Sequence, residues 1–223
     1  MIRKLLALMA IFLTTIPASA QEYIITKGPL SDRDFYRLVA CAADPGGPCR
    51  KDIVRWPASK AKRLSVAITR TDPTFPERNA RLIDAALTRA ASEISKLEAG
   101  VTITRTTGKP DISVMLLDLP EDSVLQDTGI DDLDGNQIGA AYVHVWWDGA
   151  KRITKSVIIV TPDTGIADIK SIILEELVQS LGLLTDISNL HYRRNSIFDE
   201  RSNHVKRLFR QDATAIRMHY DRK

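Results

Sequence analysis

The stretch Ile173-Leu174-Glu175-Glu176-Leu177-Val178-Gln179-Ser180-Leu181-Gly182-Leu183 decides how the rest of the chain is read. With Ile169 upstream, Ile173, Leu177 and Leu181 recur every four residues and share one helical face. The spacing predicts a helix from about Gly165 to Leu181 with that face in a core. Glu175 and Gln179, also four apart, share a second face. Either of the adjacent carboxylates, once buried, needs a cationic partner or several hydrogen bonds, or it takes up a proton. Arg152, Lys155, Arg193 and Arg194 are the nearby cations. Two readings stay open: a solvated or ion-paired helix edge holding the following loop, or a cleft built on Glu175, Glu176 and Gln179 that binds a ligand.

Working upstream, Leu64-Ser65-Val66-Ala67-Ile68-Thr69 alternates as a half-buried strand does. Thr74-Phe75-Pro76-Glu77 has the Thr/Glu spacing of a capping box, with Pro in the first turn. Leu82, Ile83, Ala86, Leu87, Ala90, Ala91, Ile94 and Leu97 then form the stripe of a long helix, which Gly100 stops. Val101 to Thr104 and Ile112 to Leu117 read as strands, and the first two strands with the helix between them make a right-handed crossover unit. An Asp/Gly loop runs from Asp127 to Gly139. Beyond it, Ala140 to Trp147 and Ile153 to Val160 flank the Asp148-Gly149 turn as an antiparallel pair. A loop of little regular pattern follows the 165–181 helix, and a last short helix runs from about Ala213 to Tyr220. The expected class is α/β (α+β): a mixed twisted sheet with an antiparallel edge strand, two long helices and a short C-terminal one.

That element order resembles the metzincin fold of zinc metallopeptidases over residues 64–220. In that family the second helix carries HExxHxxGxxH or its Asp-ended variant. Two His one turn apart bind zinc, the Glu is the general base, and the Gly turns the chain toward the third ligand. Carried over position by position, the resemblance puts Glu176 at the base and Gly182 at the turn. It puts Glu175 and Gln179 at the first two ligand positions and Thr185 at the third, with Asp186 just beyond. Asn195-Ser196-Ile197-Phe198 is similar to the Met-turn segment with Phe198 in place of Met, and Gln211 to Tyr220 to the closing helix of matrix-type members. Residues Cys41 to Pro57 also resemble a family of exported bacterial proteins of unknown function, which pairs such a Cys/Gly/Pro/Trp segment with a Glu-Glu-Leu helix.

The replaced positions argue against ordinary zinc hydrolysis. A catalytic zinc needs three firm protein ligands and an open position, and imidazole suits it. Glu175 can coordinate a cation, but the Gln179 amide is a weak ligand, and neither Thr185 nor Asp186 replaces a third imidazole. An oxygen-rich set would favour calcium or magnesium. His144, His191, His204 and His219 are scattered, with no HxxxH pair, and only His191 lies in the loop from which it could swing toward Glu175. No metal or other cofactor is therefore expected, with zinc disfavoured. In the resembled fold an edge strand pairs with extended substrate through main-chain hydrogen bonds, which needs no metal. The strand Ala140–Trp147, with Tyr142 and His144, is the candidate edge. The expected function is a non-catalytic domain binding an extended peptide or envelope protein. A metal-dependent hydrolase with Glu176 as base and a structural envelope protein are the alternatives.

The chain's beginning sets the compartment. Arg3 and Lys4 precede an apolar run from Leu5 to Ile16, and Ala18-Ser19-Ala20 supplies a small-x-small cleavage triplet. About a dozen apolar residues fall short of the ~20 that span a bilayer. Residues 1–20 are read as a signal peptide, leaving no stable membrane anchor and a secreted protein, expected in the bacterial periplasm. In an oxidising compartment Cys41 and Cys49, the only cysteines, read as a disulfide across the turn-rich Asp44-Pro45-Gly46-Gly47-Pro48 loop. Residues 21–60 are read as a cover segment carrying that loop, and 61–223 as the main domain.

Lys plus Arg number 31 and Asp plus Glu 28. Without Arg3 and Lys4 the excess falls to one, too small a field to track nucleic acid. Three smaller features complete the reading. The Asp127–Asn136 run fails the EF-hand spacing, because Ile130 would stand at its first position. Trp146-Trp147 is either an aromatic platform or one core and one rim side chain. The basic runs Arg50–Arg63 and Lys206–Arg210 are read as solvated faces.

Overall fold

The computed structural model describes residues 23–130 and 132–220; the expected signal peptide lies outside the described residues. In chain order the elements are β1 (Tyr23–Ile25), α1 (Asp32–Cys41), α2 (Ala58–Ala61), β2 (Leu64–Thr71), α3 (Glu77–Ser95) and β3 (Ile103–Arg105). There follow β4 (Ile112–Leu116), β5 (Ala141–Trp147), β6 (Ile153–Val160), α4 (Ile169–Gln179), β7 (Asp186–Ser188) and α5 (Arg210–Tyr220). Five strands form one sheet in the order β3-β2-β4-β6-β5. All neighbours in it are parallel except β5, which runs antiparallel to β6 at the edge. The mixed sheet with an antiparallel edge strand is thus present.

The two faces of the sheet are buried differently. On one, Val66, Ile112, Val114, Ile158 and Val160 share a core with the apolar stripe of α3 (Ile83, Leu87, Ala90, Ile94) and with α4. On the other, Met115, Leu117, Val157 and Ile159 lie under Leu125, Leu133 and Ile138 of the long 117–140 connection. Because strand side chains alternate, Ala141, Val143 and Val145 of β5 belong to the α4 side, whereas Tyr142 and Trp146 pack under the connection.

Helix α4 differs most from its sequence reading. Ile169 and every residue from Ser171 to Gln179 are buried, and only Lys170, in the first turn, is exposed. The second face is covered by the N-terminal segment and the chain after α4: β1 pairs in parallel with β7, and Phe35, Leu38 and Val39 of α1 share a core with Ile187, Tyr192 and Phe198. Three-residue strands such as β1 and β7 leave no periodic signal, so the β1–β7 pairing within the expected cover was not foreseen. Cys41 and Cys49 are joined by a disulfide with Cα atoms 5.2 Å apart. Closing so short a loop stabilises the fold by roughly 2–3 kcal/mol.

Two further details depart from expectation. No side chain caps α3: Pro76 occupies the N-cap, the chain enters through a turn in which Phe75 N–H donates to the Asp72 carbonyl, and Glu77 pairs instead with Arg81 one turn on. Helices α4 and α5 are both 11 residues long, so only α3, with 19, is a long helix. The residues from Gly165 to Asp168 form a turn leading into α4, in which Asp168 N–H donates to the Gly165 carbonyl.

Candidate functional site: an acidic cleft beside the sheet edge

Glu175 and Glu176 lie in the middle of α4, 7% and 4% exposed. Packing on all sides of the helix leaves them no route to bulk water except a cleft of about 190 Å³. Gly139, Ala140 and Ala141, leading into β5, form one wall. Asp186 of β7 forms another, and Asp199, Glu200 and Asn203 come from the loop before α5. With Glu121 at its rim, the cleft presents six carboxylates and no Lys, Arg or His.

Among the described residues neither Glu175 nor Glu176 has an ion-pair partner, and Glu176 Oε2 is buried without a hydrogen bond. Burial penalises the charged form, and the Asp186 carboxylate adds repulsion; together they push the Glu176 acid up to about 8. Burial is also the main cause for Glu175, which is raised well above the ordinary range, with Asp186, Glu176, Glu200 and Asp212 as repelling neighbours. At neutral pH Glu176 therefore holds its proton in most molecules.

The cations expected to neutralise the pair do not. Arg193 and Arg194 are exposed, Arg152 pairs with Asp148, and Lys155 lies 4.3 Å from the ring centroid of Trp146. A different group holds the loop after α4. Asp212 of α5 accepts from Ser196 Oγ at 2.7 Å, from Phe209 N–H at 3.0 Å and from Ile197 N–H at 3.3 Å. Burial nonetheless raises its acid to about 7. Phe198, at the position that resembles the Met-turn, is fully buried against Phe35 with ring centroids 6.1 Å apart.

The remaining expected site residues divide. Gln179 lies next to the cleft and donates its amide N–H to Asp186 Oδ1 at 2.8 Å. Tyr142 and His144 are on the opposite face of β5, under the long connection: the Tyr142 hydroxyl is 3.2 Å from His144 Nδ1, and the His144 ring lies 4.3 Å from that of Trp146. Trp146 is half-buried, its indole N–H donating to Asp132 at 2.7 Å, and Trp147 is exposed. His191 is exposed, in a turn, with its ring against Tyr192. Sequence reasoning did not find Asp199, Glu200 or Glu121. The adjacent Asp199-Glu200 pair, echoing Glu175-Glu176, was a usable signal; an isolated Glu121 was not.

The residues do not fit the zinc that the resemblance implies. The Gln179 amide is engaged with Asp186, and Thr185 is fully buried and offers only a neutral hydroxyl, a poor zinc ligand. Among the described residues no three or more His, Cys, Asp or Glu are arranged to hold a metal ion. Six carboxylates around one cleft repel one another without converging on a point.

The end of α4 forms a contrasting junction. Gly182 has φ +103°, and a Cβ there would stand 2.1 Å from the Val54 carbonyl oxygen. Trp56, 1% exposed, donates its indole N–H to the Ser180 carbonyl at 3.0 Å. The Tyr220 hydroxyl donates to the Leu181 carbonyl at 2.7 Å and accepts from Trp56 N–H at 3.2 Å. Buried His219 places Nε2 3.1 Å from the Val54 carbonyl oxygen. This junction ties the N-terminal segment to α4 and α5.

Over residues 34–223 the sequence matches the model of a family described as protein of unknown function (DUF2927). No protein with a curated description matches it. Among solved structures, that of myroilysin matches with 16% identity and a TM-score of 0.41, over 76% of this chain and 97% of that one.

Proposed function

The chain belongs to the DUF2927 family of proteins of unknown function, and we propose that it is an exported, non-catalytic domain with a degenerate metallopeptidase-like fold that binds an extended segment of a peptide or envelope protein. One observation carries the reading: the free edge of β5 begins at the acidic cleft. Strand β5 pairs only with β6 among the described residues. The bond from Thr161 N–H to the Ala140 carbonyl sets the phase of the antiparallel ladder. By its alternation, Ala141, Val143 and Val145 direct their main-chain groups away from β6, toward the open edge. An extended chain can pair there by main-chain hydrogen bonds.

Support for export comes from the signal-like residues 1–20, the Cys41–Cys49 disulfide, and the lack of any helix among the described residues long and apolar enough to cross a membrane. Loss of zinc chemistry is supported by Glu175, Gln179 and Thr185 at the ligand positions and by the engagement of Gln179 with Asp186.

The test is a Val143→Pro variant, which removes an edge-facing N–H while keeping the bonds to β6. Binding of extended, β-branched peptides should fall at least about tenfold, with circular dichroism unchanged. Unaltered binding sinks strand addition. Elemental analysis of protein purified from the exported compartment should show well under one zinc per chain. One tightly held zinc, with peptide cleavage abolished by Glu176→Gln, would instead establish the hydrolase.

A further inference from the structure

Glu176 is an anomalous polar group. It is 4% exposed, one of its oxygens has no hydrogen-bond partner, and it lines a cleft whose other ionisable walls are all carboxylates. Buried carboxylates are ordinarily paired or richly hydrogen-bonded, and an unpaired one stabilises nothing in the isolated fold. Nor is it a packing accident at a loose surface, since α4 is buried from Ser171 to Gln179. A proton satisfies Glu176 in the isolated fold, and a cationic group with its own donors can take that proton's place.

Size and direction narrow the choice. At about 190 Å³ the cleft is smaller than pockets for drug-sized ligands, and suits a single long side chain. A metal ion is disfavoured because the carboxylates do not converge. The wall formed by Ala140 and Ala141 is the start of the open sheet edge. Ala141 has its side chain on the α4 side, so a residue of an added strand lying opposite it presents its own side chain to that side. The short Ala141 side chain leaves room for a long neighbour. We propose that the cleft is a recognition pocket for one cationic side chain, Lys or Arg, of a peptide strand added at β5, its ammonium or guanidinium group paired with Glu175 and Glu176. This rests on the strand-addition reading above and supplies its specificity.

The experiment compares blocked six-residue peptides, rich in Val and Thr, with Lys, Arg or norleucine at one central position, by calorimetry on the full chain. Lys and Arg peptides should bind about tenfold or more tightly than norleucine, the scale of a charge-assisted hydrogen bond out of water. Glu176→Gln, an isostere that keeps the fold, should erase that preference while the norleucine peptide still binds. Equal binding of all three by the native protein overturns the cationic pocket and leaves strand addition standing.

If no peptide binds, n-butylammonium chloride against equimolar sodium chloride decides the matter. A rise in the native protein's melting temperature that Glu176→Gln lacks keeps the pocket and removes strand addition; no rise removes both. Stoichiometric calcium or zinc binding that displaces the Lys peptide also overturns the proposal, in favour of a metal site.

Discussion

Helix α4 touches two buried polar regions that differ in one respect. At its end, Trp56, His219 and Tyr220 meet the carbonyls of Ser180, Val54 and Leu181, with a donor facing each acceptor. At its middle, Glu175 and Glu176 face four further carboxylates and no cation. The first region is complete within the chain and fastens three segments together. The second has no cation or full set of donors among the described residues and opens on a sheet edge. Burial alone does not tell the two regions apart; the satisfaction of their polar groups does.

The largest expected effect breaks the completed region. In Gly182→Ala the new methyl meets the Val54 carbonyl oxygen at 2.1 Å, backbone that cannot swing aside, at a φ of +103° that L side chains rarely adopt. Destabilisation should exceed about 4 kcal/mol, so the variant should fail to accumulate or melt far below the native protein. A variant with a native denaturation midpoint would mean that the Val54–Gly182 contact is not needed.

The cleft should respond with the opposite sign. Glu176 has a folded acid constant of about 8 against an ordinary 4.5. Its contribution is therefore fully present below about pH 4.5 and is lost as pH rises through 8. Asp212, at about 7 from 3.8, adds a loss over the lower part of that range. The urea midpoint of the native protein should fall steadily between pH 5 and 8. Glu176→Gln, which has no proton to lose, should be more stable than native by about 3 kcal/mol at pH 7 and flatter with pH, its residual slope being due to Glu175 and Asp212. A destabilised Glu176→Gln would show instead that the carboxylate is paired in solution.

How much of this was legible in the sequence depends on what each feature rests on. Strands β2, β4, β5 and β6 and helix α3 follow from apolar periodicity, which reports one buried face directly. Periodicity could not show that α4 is buried on nearly every side, because part of its cover comes from the N-terminal segment, which is distant in sequence. The Glu175-Glu176 pair was visible as a candidate site. Its lack of a cation was not, since Arg193 and Arg194 lie near in sequence yet face solvent. Tyr142 and His144 were placed by strand membership alone. Strand parity, fixed only once Ala141 and Val145 are seen against α4, puts them on the far face.

The smallest effect sharpens the comparison most. Tyr220→Phe deletes one hydroxyl and leaves the ring in place, so the Leu181 carbonyl and the Trp56 N–H each lose a partner inside the fold. Replacing one buried partner this way costs about 1–2 kcal/mol. Burial pushes the Tyr220 phenol well above the working range, so it does not titrate there and the loss should be the same at pH 5 and pH 8. The two ends of the comparison then differ in sign and in pH behaviour: removing a satisfied group destabilises at every pH, and neutralising an unsatisfied one stabilises more as pH rises. Urea titrations of Tyr220→Phe, Glu176→Gln and the double variant at both pH values test this together. Additive shifts are expected from two regions that share a helix but no hydrogen bond. Strong coupling between them would mean that the junction and the cleft are one network, and that a ligand in the cleft is felt by the N-terminal segment.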